Sequence, residues 1–302
     1  MRRALGLVLL VVFCATGCNC ASKPEPSPLP VGSIDLSAYT YEEVAAAMNQ
    51  RAQRLERFWA ATTTTVWYIG KEGEDEVDQL EGDLHIVQPD HIALSMRKIG
   101  VDVAALGANE RFYWYMDLLA DDPIASIGTH AKADPDRLAG LGVPVHPLDL
   151  LLLLGFSSVP GEPMDPEQPL KLSPRGGNIV LTAPARWGVV EYTLEPDTLE
   201  PVRVVLKRDP RLPPVLTADM LRGGTLFTDR VDRELPDVSI PERVLIDVPE
   251  LDARVRIRFL GAQSSKRRPD ERAFDLGDSL SRYGVRLKRD LDVMHARPVE
   301  RR

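Results

Sequence analysis

The chain has 302 residues, 44% of them hydrophobic, and a formal charge of −8 at pH 7. That acidity argues against a general binder of nucleic acid or anionic lipid, and the length allows a sizeable core. Its three cysteines, Cys14, Cys18 and Cys20, lie at the extreme start, so no disulfide or thiolate metal site is expected downstream.

Residues 1–17 carry the marks of an export signal. Arg2 and Arg3 form a positive start, and Ala4 to Ala15 form an apolar run much shorter than the roughly 20 residues that span a bilayer. Ala15-Thr16-Gly17-Cys18 then resembles the bacterial lipobox, in which a cysteine thiol takes a diacylglycerol thioether and becomes the mature N-terminus. Cys18 is the expected lipidation site; an ordinary signal cleaved near Ala21, without lipid, is the other reading. Cys14 leaves with the signal, and Cys20 follows Asn19, where a small residue belongs. In the proteobacterial sorting rule that the lipobox implies, Asn19 in place of Asp permits outer-membrane delivery. Residues 18–33 read as a tether: Ala21 to Gly32 has four prolines in twelve residues, and such a segment extends roughly 3 Å per residue.

The body is expected over 34–277, with a capping box at Thr40 and Glu43 opening a helix. Tyr41, Val44, Met48, Leu55 and Phe58 recur on one face, and the helix is expected to end near Trp59. The period then changes to two. Strands are predicted over Thr62–Ile69, Leu80–Val87, His91–Arg97 and Arg111–Met116. An acidic hairpin loop, Lys71 to Gln79, is expected between the first pair, and an apolar loop, Lys98 to Asn109, between the last.

His146 to Phe156 contains six leucines and one acid between Pro147, suited to a first helical turn, and Gly155, suited to the residue past the end. A helix apolar nearly all round must be covered. Two readings stand: an ordinary buried core helix, or a lid over a cavity in a curled sheet. Pro160, Pro163, Pro166, Pro169 and Pro174 then mark an irregular crossover.

Further strands are predicted over Asn178–Ala183, Gly188–Leu194, Pro201–Lys207, Thr225–Val231, Arg243–Val248 and Ala253–Leu260. In the last, Val255, Ile257 and Phe259 oppose Arg254, Arg256 and Arg258. Residues 278–302 turn basic and read either as an amphipathic helix, through Leu280, Leu287, Leu291 and Met294, or as a solvated tail. The expected class is mainly β with helices (α+β): a curled antiparallel sheet.

Catalytic and metal signatures are missing. His85, His91, His130, His146 and His295 have no metal-ligand spacing, and the acids from Glu72 to Glu81 lack the order of a calcium loop. Gly155-Phe156-Ser157-Ser158-Val159 resembles a nucleophile elbow but ends in Val where Gly belongs. No cofactor, metal or catalytic residue is expected. Trp59, Trp67, Tyr68, Phe112, Trp114 and Trp187 either line a cavity or fill a core.

The order of pieces resembles the bacterial lipoprotein-localisation carrier and receptor (LolA/LolB) superfamily and related outer-membrane lipoproteins. The likeness is carried by the anchor and tether, the capped helix ending in Phe58-Trp59, the strands at Thr65–Ile69, Leu84–Val87, Ile92–Met96 and Phe112–Met116, and the Pro147–Leu154 helix. The later paired strands, the basic turn Ser265 to Arg268 and the closing Arg272-Ala273-Phe274-Asp275-Leu276 complete it. The resemblance implies an unclosed half-barrel whose cavity accepts acyl chains beneath a helical lid. Ile92, Leu94, Met96, Phe112, Trp114, Leu150, Leu152 and Leu153 then match wall and lid. It also implies that the apolar loop Ile99 to Leu106 corresponds to the receptor's protruding loop. The greater length, the proline-rich crossover and the basic tail depart from the pattern. The expected partners are a membrane, through Cys18, a lipid or lipoprotein acyl chain, and an envelope protein. The competing reading is a structural lipoprotein whose cavity is filled core.

Overall fold

A computed structural model describes residues 34–70, 72–139, 145–161, 170–221, 223–224, 226–228, 238–264 and 269–293. The signal, Cys18 and the tether therefore lie outside the described residues, as do Ser265 to Arg268 and the last nine residues.

Thr40 Oγ1 accepts from Glu43 N at 3.2 Å, and Glu43 Oε2 accepts from Thr40 N at 3.0 Å, which closes the capping box of α1 (Tyr41–Arg54). Val44, Ala45, Met48 and Ala52 form its buried stripe. The helix stops short of Trp59. Phe58 and Trp59 belong instead to β1 (Arg57–Ile69), where they pair with Ile86 and His85 of β2 (Asp75–Val87). Aromatic residues leading into a β-branched run favour the strand.

The meander continues through β3 (His91–Lys98), β4 (Val101–Ala108), β5 (Phe112–Asp117) and β6 (Ile124–Thr129). The expected loop over Lys98–Asn109 is thus a strand, entered by a tight turn at Ile99 and Gly100 with φ of 51° and 77°. Val103, Ala104, Ala105 and Leu106 are all buried, so β4 is covered on both faces and shows no alternation to read. The acidic hairpin loop is also shorter than expected. Glu76 and Asp78 sit in β2, where they accept from Tyr68 Oη at 2.6 and 3.0 Å.

Two short helices follow, α2 (Pro135–Ala139) and α3 (Asp149–Leu153), before β7 (Lys171–Arg175), β8 (Asn178–Ala185), β9 (Gly188–Leu194), β10 (Pro201–Lys207) and β11 (Leu216–Leu221). β7 tolerates Pro174 because it is an edge strand. Of the predicted Thr225–Val231 strand, residues 226–228 are described, and Phe227–Thr228 form β12. β13 (Arg243–Val248) and β14 (Ala253–Ser264) return the chain to β1, and α4 (Leu276–Arg282) leads to β15 (Leu287–Asp290). That last strand pairs parallel with β6, Leu291 is fully buried, and Asp292 accepts from Thr129 N and Oγ1 at 2.9 and 2.8 Å. The chain from 278 to 293 is therefore part of the fold, not a solvated tail.

One path joins fourteen strands in the order β15-β6-β5-β4-β3-β2-β1-β14-β13-β11-β10-β9-β8-β7, with β12 beside β14. Among the described residues, only the β15–β6 and β12–β14 pairings are parallel. β7 and β15 end the path without meeting, so the sheet is unclosed. It curls nonetheless. Arg208, after β10, reaches Asp136 of α2 at 3.3 Å, and Trp187, between β8 and β9, lies 5.9 Å from His146. The inner face carries the main core, with α1 and α3 laid across it.

Candidate functional site

The segment around α3 packs on the inner face of the sheet, beside β10. Its helix is shorter than the predicted Pro147–Leu154, with Leu148 at the start and Gly155 at φ 68° past the end. Gly155 N donates to Leu152 O and Phe156 N to Leu151 O, both at 2.9 Å, which satisfies the terminal carbonyls. Leu151, Leu153, Leu154 and Phe156 are buried in the main core, while Leu148, Leu150 and Leu152 are half-buried against it. Apolar residues thus cover most of the helix, and its outer side reaches the surface.

Polar groups, not strand pairing, tie this plug to its surroundings. The Arg51 guanidinium donates to Gly155 O, and Asn49 bonds Val159 through both amide atoms at 2.7 and 2.9 Å. Burial lowers the Arg51 pKa to about 10, and the cation lies 5.9 Å from the centre of the Phe156 ring. Phe156 in turn packs 4.8 Å from Phe58 and 6.3 Å from Phe259.

At the other end, Leu148 N donates to His146 Nδ1 at 3.1 Å, so the His146 proton sits on Nε2. That Nε2 faces His130 Nδ1 at 3.2 Å, and His130 Nε2 donates to Asn109 O at 2.6 Å. Two neutral imidazoles therefore run head to tail from the plug to the β4–β5 turn. Tyr113 stacks 4.5 Å from His146, and Tyr115 Oη donates to Val145 O. Burial, then the nearby Arg186 and His130, push the His146 pKa down to about 2. Burial likewise lowers His130. Asp149 is driven up to about 6 by burial, which Arg186 at 4.0 Å does not offset. A gap of about 40 Å³ beside Asp149, Arg186 and Trp187 has room for one or two waters. Linear spacing gave no hint of this relay, because the fold brings together histidines sixteen positions apart.

The expected wall is divided between two faces. Ile92, Leu94 and Met96 lie in the main core with Leu150, Leu152 and Leu153. Phe112 and Trp114 do not join them: they pack with Met116, Ala125 and Val285 on the outer face, under α4. The register explains the split. Leu94 stands opposite Leu106, which stands opposite Tyr115, so the odd residues of β5 point inward and the even ones outward. The inward aromatics are Tyr113 and Tyr115. Trp114 instead lines a cleft of about 430 Å³ between the outer face and the chain around α4, with Asp83, His85, Ser95, Arg272 and Arg282. Ala93, Ala105, Ala273 and Tyr283 share that lining with the polar groups. Ile99 is 96% exposed at the β3–β4 turn, with Val101 60% exposed beside it. Among the described residues, no group of three His, Cys, Asp or Glu could hold a metal ion, and no helix is long and apolar enough to cross a membrane.

No protein-family model matches the chain, and no curated protein does. Solved structures similar to it include three of low sequence identity. One is a DUF1329 family protein from Desulfovibrio piger, 9% identical with a TM-score of 0.49 over 78% of this chain and 96% of that one. A LolA superfamily protein from Nitrosomonas europaea is 8% identical, with a TM-score of 0.47 over 79% and 99%. The third, described as an outer membrane lipoprotein-sorting domain, comes from Vibrio parahaemolyticus; it is 12% identical, with a TM-score of 0.45 over 79% and 98%.

Proposed function

We propose that the chain is a membrane-anchored envelope protein that shelters an acyl-bearing ligand, a lipid or a lipoprotein, beneath the α3 plug, without catalysis. The observation that carries this is the plug itself. A helix apolar on most of its surface lies against the inner face of an unclosed sheet, and its segment is fastened by a few hydrogen bonds, from Arg51, Asn49 and Tyr115 and between His146 and His130. Such a segment can leave without unpairing a strand, and an acyl chain can take the place of its leucines against Ile92, Leu94 and Met96. In this reading Cys18 carries the lipid, the tether lifts the body from the surface, and the outer membrane, on its periplasmic side, is the location. Ile99 and Val101 offer an apolar tip for contact with the bilayer or with an envelope partner.

The competing reading is a structural envelope lipoprotein with a filled core, favoured by the complete burial of Leu153 and Phe156. Native mass spectrometry of the purified chain separates them. Bound lipid retained by the wild type is the expected result; a chain that never carries one leaves the structural reading.

A further inference from the structure

The outer face of the sheet sets its bases beside acids. Arg97 pairs with Asp83 at 3.1 Å, Arg203 with Asp219 at 2.5 Å, Arg175 and Lys207 with Glu191 at 3.1 and 2.6 Å, and Arg254 with Asp247. β13 and β14 depart from this pattern. Arg243 and Arg258 are direct cross-strand partners, and burial of the adjacent Val244 and Ile257 puts both arginines on the outer face. Phe259 N donates to Glu242 O at 3.0 Å, so the next pair along, Arg243 with Arg258, is a non-hydrogen-bonded one, in which side chains stand closest. Arg256 joins them from two residues away, 5.0 Å from the Trp67 ring centre and donating to Thr65 Oγ1 at 3.2 Å. Among the described residues the counter-charge is Glu242, 2.9 Å from Arg258. Arg243 makes no ion pair or hydrogen bond through its guanidinium among the described residues, and its Nε is buried without a partner.

Like charges set directly opposite weaken a sheet, and an unmet buried donor adds to the cost. An anion between the two side chains removes both penalties, and guanidinium forks match phosphate oxygens. We propose that Arg243, Arg256 and Arg258 form a binding site for a phosphate group, free or carried on a lipid headgroup. Among the described residues, three cations against one acid leave a surplus that a phosphate dianion matches and a single carboxylate does not. Because the chain as a whole is acidic, its long-range field does not draw such an anion, and the local geometry must hold it. The site faces away from the plug and does not depend on the acyl-ligand reading.

The full chain, in neutral detergent and chloride buffer, is titrated with inorganic phosphate, with water-soluble dihexanoyl phosphatidate, and with the matching phosphatidylcholine as control. Saturable phosphate binding that Arg243→Gln weakens about tenfold, and Arg97→Gln leaves alone, assigns the free ion. The same dependence seen with phosphatidate alone assigns the headgroup. In phosphate-free buffer, Arg243→Gln and Arg258→Gln should each melt at or above the wild type, because repulsion is relieved. Lower melting of both variants, binding that survives the double substitution, or no binding of either phosphate probe overturns the site.

Discussion

His146 Nε2 stands 3.2 Å from His130 Nδ1, and the outer nitrogens of the two rings are bonded to backbone at Leu148 and Asn109. A second proton on either ring leaves two donors face to face, so this chain of bonds works only while both imidazoles are neutral.

The pH dependence follows from two opposed shifts. His146, held near 2, refuses a proton that the unfolded chain takes up, so its contribution is complete above about 6.5 and is lost as pH falls toward 2. Asp149, raised to about 6, keeps a proton that the unfolded chain releases, so its contribution is present below about 3.8 and is lost as pH rises to 6. Between about pH 4 and 6 the two slopes oppose each other. Asp149→Asn should therefore steepen the acid loss of stability by about 1.4 kcal/mol per pH unit in that window. Urea unfolding at pH 4, 5 and 6 measures this; an unchanged slope contradicts the assignment.

Phe156→Ala and Trp114→Ala each remove a fully buried ring and should cost about 3–5 kcal/mol in denaturant unfolding. Only Phe156 lies on the inner face, so only its loss should alter binding of an acyl probe. If Trp114→Ala weakens that binding as much, at temperatures where both variants are folded, the two-face assignment fails.

Leu291→Asp places a carboxylate in the main core at the end of β15 and should release that strand from β6. Amide exchange at Ile124–Thr129 should rise, with a stability loss of about 3 kcal/mol or more. A solvated tail would show neither change.

Cys18→Ser should abolish incorporation of radioactive palmitate and leave the chain unprocessed or soluble. Label retained by the variant would place the lipid elsewhere.

Much of this fold was legible in the sequence where one face is wet. Val255, Ile257 and Phe259 against three arginines gave β14, and Thr40 with Glu43 gave the start of α1. Where both faces are covered the pattern vanished: Val101–Ala108 read as a loop, and β6 and β11 were missed; β7, an exposed edge strand, was missed because Pro174 reads as a breaker. The α3 helix was legible because six leucines lie between Pro147 and Gly155, and Gly155 does adopt the left-handed conformation. Its fastenings were not. Arg51, Tyr115, His130 and His146 act on residues far along the chain, and no local spacing records such contacts. The sequence did not show that Leu94 faces the inner core and Trp114 the outer face, since the two share a hydrophobic alternation whose phase depends on how β4 sets the register.

The proposed function requires α3 to give way to an acyl chain. Tyr115→Phe keeps the ring and deletes one bond from the sheet to Val145, a change of about 1 kcal/mol in the plug's hold. If the closed state competes with the ligand, loosening it should tighten binding about fivefold. The measurement is a fluorescent fatty-acid titration of the wild type and Tyr115→Phe, with melting recorded for both. Saturable binding by each, tighter in the variant, is the predicted result. No saturable binding by either, with both chains folded, would contradict the account.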